Sequence, residues 1–139
     1  MVDSRSGIRM TIDRAGEHLG KGDIPGALDI LMPGVKPEQI EERAKPNVER
    51  LTGRVRETQE RLIGPSPIDP SGARGLAQTM SVYVRALREM KHSPEDVTVI
   101  ANLLTDLQFG NLARRLPAEV CHRLLAALIH AVVEQSPKA

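Results

Sequence analysis

Aromatic side chains are nearly absent from this chain: it holds one Phe, one Tyr and no Trp. A core of this composition is built from Leu, Ile, Val, Ala and Met, which interlock well between helices. The shortage also excludes functions. Single-stranded nucleic acid is bound on stacking aromatic platforms, and cation cages need aromatic faces. Cysteine is equally scarce. A lone Cys121 leaves no internal disulfide and points to a reducing setting, so the expected location is the cytoplasm. Long apolar runs are missing too. The longest, residues 124–133, contains His130 and is too short to span a bilayer, and the first residues lack the apolar run of a signal peptide, so no membrane role is expected. Charge of one sign is also lacking. With 19 basic and 18 acidic residues the net charge is +1, which gives no global attraction to DNA, RNA or a lipid surface.

What is present fits one domain. The 139 residues, 40% of them apolar and 27% charged, have an ordinary globular composition and are read as a single helical domain at 1–139. Residues 1–6 read as a loose N-terminus. Ile8, Ile12, Ala15 and Leu19 then step by four, three and four, which draws one helical stripe. Gly20 and Gly22 close that helix, Asp23 caps the next, and Pro25 sits in its first turn, where a missing N–H matters little. Pro37 opens a third helix with an acidic first turn (Glu38, Glu41, Glu42), and Pro46 predicts a kink or break within it. Beyond Pro46, Val48, Leu51, Val55, Thr58 and Leu62 form a narrow seam on a charged helix, suited to the outside of a bundle or to a coiled-coil arm.

Residues 64–70 carry three prolines and read as a stiff connector in the middle of the chain. Ser71 is the expected cap of a fourth helix with Leu76, Met80, Tyr83, Leu87 and Met90 in its stripe and Val84 widening it. Ser93-Pro94-Glu95-Asp96 is the clearest start signal: a Ser cap, Pro at the first helical position and an acid at the third. Val97, Ile100, Leu104 and Leu107 follow on one face, Gly110 stops the helix, and residues 112–116 make about one turn before Pro117 opens the last helix. No period-two pattern competes. The fold class is therefore all-α, a compact bundle of five to six helices with a Pro-rich connector in the middle.

Chemistry-bearing motifs are sparse. His130 and Glu134 lie four apart on one helix face, but a third ligand at matching spacing is missing, so no metal is expected. Cys121 and His122 are neighbours and point about 100° apart on a helix, so they do not form a nucleophile–base pair. No phosphate loop occurs and no cofactor is expected. Charge is segregated along the chain: residues 71–92 carry a net +3 and residues 93–109 a net −3. Arg85, Arg88, Lys91, Arg114 and Arg115 could form a basic patch for nucleic acid, against mutual attraction of the two helices within the fold. The last helix offers few side chains that could read bases.

Those features predict a non-enzymatic cytoplasmic protein-interaction module, an adaptor, chaperone or regulator acting through apolar helix faces. The alternative is a DNA-binding regulator using the Arg/Lys patch. From Val120 to Val133 apolar positions cover nearly the whole circumference of the last helix. A homodimer that buries Leu125, Leu128, Ile129 and Val132 between subunits is the expected assembly, with cover by the other helices of the same chain as the competing arrangement.

Overall fold

A computed structural model describes residues 7–65, 69 and 71–134, and every regular element among them is helical. The order is α1 (Gly7–Gly20), α2 (Ile24–Leu31), a 3-10 turn (Pro37–Gln39), α3 (Ile40–Leu62), α4 (Ala73–Glu89), α5 (Pro94–Gln108), α6 (Asn111–Arg115) and α7 (Ala118–Glu134). The all-α bundle read from periodicity is thus the observed class, with a seventh, five-residue helix where the sequence shows a single turn. The terminus read at residues 1–6 lies outside the described residues, as do positions 66–68 and 70 of the connector. Of its described members, Pro65 and Asp69 are exposed and Gly64 is half-buried.

Helix starts follow local chemistry. The Asp23 carboxylate accepts from the Gly26 amide at 3.0 Å and from the His18 ring at 2.7 Å, which locks the α1–α2 turn. The His18 contact, with help from the Gly26 amide, holds the Asp23 carboxyl below its ordinary range. The space over Gly26 is filled by these two side chains. A Cβ there would meet the Asp23 carboxylate and the His18 ring, the latter at 2.8 Å. Ser93 caps α5 as its sequence implies, accepting from the Asp96 amide at 3.3 Å. Ser71 does not cap α4. Gly72 holds that position, and the Ser71 amide turns back to the Asp69 carboxylate at 3.0 Å. Pro46 does not break its helix either. α3 runs unbroken across it. The ring removes one backbone hydrogen bond, but Ile40 and Ala44 before it and Leu51 after it are all fully buried, so burial holds both halves in one helix.

α7 is the centre of the bundle. It packs against α1, α2, α3, α5 and α6. Leu124, Leu128 and Val132 are completely covered, and Ile129 is 4% exposed. Burying such side chains contributes roughly 1.5–3 kcal/mol each. α4 lies between α3 and α5. It therefore buries Val82 and Ala86 as well as Leu87 and Met90, while Leu76, Met80 and Tyr83 of the expected stripe are only half-buried. On α3 the seam holds at Leu51 and Thr58. Val48 and Val55 are half-buried, and Leu62 is exposed. The buried Thr58 hydroxyl is satisfied by donating to the Arg54 carbonyl at 2.8 Å.

Two polar ties join α3 to its neighbours. Arg61 Nη2 donates to both carboxylate oxygens of Glu89 at 2.6 Å, linking α3 to α4. Asn47 Nδ2 lies 3.0 Å from His130 Nδ1 and donates to Glu134 Oε1 at 3.0 Å, linking α3 to α7. Among the described residues no Arg or Lys of α4 pairs with an acid of α5, so the opposite charges of these helices do not meet in ion pairs.

Candidate functional site

Three clefts on the described surface adjoin in series. The first, about 440 Å³, lies between α3, α4 and α5 and is lined by Val55, Arg56, Gln59, Glu60, Pro65, Thr79, Val82, Tyr83, Gln108 and Phe109. The second, about 400 Å³, shares Gln108 and Phe109 with the first and continues along α7 past Cys121, His122 and Leu125. The third, about 310 Å³, shares His122 and Leu125 with the second and reaches α3 at Glu41 and Val48. Volumes of this size match small-ligand sites or the seats of single anchoring side chains.

Position follows from helix endings. Phe109 caps the C-terminus of α5, its amide bonded to the Thr105 carbonyl at 2.8 Å. Gly110 then lets α6 turn back closely on the last turn of α5, with room for no side chain against Asp106. That turn leaves the Phe109 ring on the border between the first two clefts. Tyr83 projects from α4, and its hydroxyl lies 3.2 Å from Gln108 Nε2, which donates to it. Burial pushes the phenol up from its ordinary value, partly offset by the Gln108 hydrogen bond, so the group is neutral at physiological pH. The chain's one Phe and one Tyr thus line the same cleft.

The residues singled out from sequence are distributed unevenly. Leu128, Ile129 and Val132 lie in the core of a single chain, and Ile129, 4% exposed, also lines the third cleft. At these positions the last helix is packed by helices of its own chain. Leu125 differs. It is half-buried and lines both the second and the third cleft. Arg85, Arg88 and Lys91 are exposed at the end of α4 and the following turn, and Arg114 and Arg115 are exposed on α6. Contacts between the described elements pair α4 with α3 and α5, and α6 with α5 and α7, so α5 is the partner that the two basic segments share.

Reactive groups do not assemble into a centre among the described residues. Cys121 is buried with its thiol directed at the carbonyls of Leu112 and Leu116, each at 3.8 Å, while His122 is exposed beside it. No group of three His, Cys, Asp or Glu side chains is disposed to hold a metal ion, and the His130–Glu134 pair is engaged by Asn47 instead. No described helix is long and apolar enough to cross a membrane. Sequence reasoning placed Tyr83 in a core stripe and gave Phe109, Gln108 and Val82 no role. The signal that could have found the two aromatics is their scarcity, since Tyr83 lies on α4 and Phe109 caps the next helix, α5. The fold and its clefts define an all-helical bundle with an apolar surface furrow. No family model, curated protein or solved structure matches the chain.

Proposed function

We propose that this chain is a non-enzymatic protein-interaction module of the cytosol, and that it receives an aliphatic helix face of a partner protein along the furrow formed by the second and third clefts. One observation carries the reading. α7 is enclosed on nearly every side, yet at Leu125 its side chain is only half-buried, and the two clefts that meet there are walled by Leu107, Ala113, Val48 and Ala126. Half-buried aliphatic side chains in an elongated furrow are what an amphipathic partner helix uses as sockets for its anchoring residues. The free thiol of Cys121 suits a reducing compartment.

Leu125→Arg and Val48→Arg each place a charge in the furrow without reaching the closed core. Both variants should retain the helical spectrum and the melting behaviour of the parent chain. Quantitative mass spectrometry of purified complexes, with and without nuclease, then compares them with the parent. The reading expects a nuclease-resistant protein partner that both variants lose. A partner retained by both folded variants contradicts it. Recovery of nucleic acid alone, lost with Arg85→Ala and Arg88→Ala, supports the DNA-binding alternative instead.

A further inference from the structure

The first cleft shares Gln108 and Phe109 with the furrow on α7 but adds Tyr83, Val82 and Val55, and it supports a separate assignment. We propose that the cleft between α3, α4 and α5 binds a small uncharged ligand that carries a carboxamide, or an equivalent planar amide edge, on an apolar body. The apolar body is matched by Val55, Val82 and the rings of Tyr83 and Phe109, which line one cavity of about 440 Å³. That volume accommodates a ligand of modest size. The amide edge is matched by Tyr83 and Gln108. With Gln108 Nε2 donating to the Tyr83 hydroxyl at 3.2 Å, the phenolic hydrogen, the second Nε2 hydrogen and the Gln108 carbonyl oxygen remain, so the pair still offers donors and an acceptor. If the Gln108 amide is turned over, the phenol donates to its carbonyl. Both amide hydrogens and a phenolic lone pair then remain, again donors and an acceptor. In either arrangement the pair complements a group that offers a carbonyl and an N–H side by side.

Charge in the cleft argues for neutrality. Tyr83 and Gln108 are uncharged, and the two ions on the lining, Arg56 and Glu60, are opposite in sign and exposed on α3. They set up no net attraction for an anion or a cation. A charged ligand brought to Tyr83 and Gln108 loses hydration with no counter-charge to replace it. The Thr79 hydroxyl already donates to the Gly75 carbonyl at 2.9 Å and Gln59 is engaged in an interaction of its own, so discrimination rests on Tyr83 and Gln108.

The test uses the full chain labelled with 15N and three probes that share one ring: cyclohexanecarboxamide, cyclohexanecarboxylate and cyclohexyl methyl ketone. The carboxamide should shift the Gln108 side-chain amide and the backbone amides of Val82 and Phe109, and the shifts should saturate. Roughly tenfold weaker binding is expected for the carboxylate. Tyr83→Phe and Gln108→Leu keep the cleft's shape, and each should weaken the carboxamide roughly fivefold while leaving the weaker ketone within about twofold. Equal binding of carboxamide and carboxylate overturns the assignment. So does carboxamide binding that is unchanged in both folded variants, and so does the absence of saturable shifts at Gln108, Val82 and Phe109.

Discussion

Replacing Gly110 with Ala tests how α6 is held against α5, and with it the placement of Phe109. Gly110 is the N-cap of α6, with φ −105° and ψ −154°, a backbone conformation open to any residue. Its requirement is one of space. A Cβ at this position lies 2.6 Å from Asp106 Oδ1, 2.9 Å from Asp106 Cα and 3.4 Å from the Asp106 carbonyl. The carboxylate can swing away, but the Cα belongs to the last turn of α5 and cannot move alone. Either α6 lifts from α5 or that turn loosens, and overpacking of this kind costs about 1–3 kcal/mol. Gly16 and Gly53 provide the comparison. Both lie within helices, and a Cβ on either meets nothing within 4 Å. Ala at these sites should stabilise by about 0.5–1 kcal/mol, through helix propensity and a less flexible unfolded chain. For a chain of 139 residues, about 1 kcal/mol corresponds to about 3 °C in Tm. Thermal unfolding followed by circular dichroism should therefore show Gly110→Ala falling by roughly 3–9 °C, with Gly16→Ala and Gly53→Ala rising by roughly 1–3 °C. A Gly110→Ala chain that melts above the parent refutes the close approach of α6 to α5.

Three further outcomes follow from the same structure. Lys91 holds a left-handed conformation at φ 67° where α4 ends, a position that favours glycine, so Lys91→Gly should raise the urea midpoint by an amount equivalent to about 0.5–1 kcal/mol. Leu128→Ala should destabilise by about 2–5 kcal/mol, because the side chain is fully enclosed, while Leu125→Ala on the half-open furrow should stay below about 1.5 kcal/mol in the same urea titration. His92 is buried at the α4–α5 turn, and burial pulls its pKa down from the ordinary value despite the nearby Asp96 charge. In the window below about pH 6.5 the unfolded state binds the extra proton first, so stability should fall as pH drops and level off below the folded-state pKa. His92→Gln should reduce that fall, and a slope identical to the parent's would show that His92 does not drive it.

Much of the fold was legible because the decisive signals were local. Ser93-Pro94 and Asp23-Pro25 start helices through their own side chains and rings, and the three- and four-residue steps of α1 and α5 appear directly as buried Ile8, Ile12, Val97, Ile100 and Leu104. Where tertiary burial decided, the sequence was silent or misleading. Pro46 weakens α3 locally, but fully buried side chains on either side keep the helix continuous. On α4 a single stripe was visible, whereas a helix placed between α3 and α5 must bury two faces, which is why Val82 and Ala86 are covered. The clefts were not legible at all. Each depends on side chains from several helices stopping short of one another, and no spacing within one helix encodes that. The all-round apolar character of α7 was visible, but not which molecule covers it. That depends on the reach of α1, α2, α3, α5 and α6.

Whether α7 is covered from within one chain is therefore the most direct question to put to this account, and amide hydrogen exchange answers it. Rates measured along α7 at low and high micromolar protein should place the amides of residues 124–133 among the slowest in the chain, with the same protection at both concentrations, because their shelter is intramolecular. Protection that is weak in dilute solution and grows as the protein is concentrated would contradict the account, since it would mean that a second copy supplies the cover.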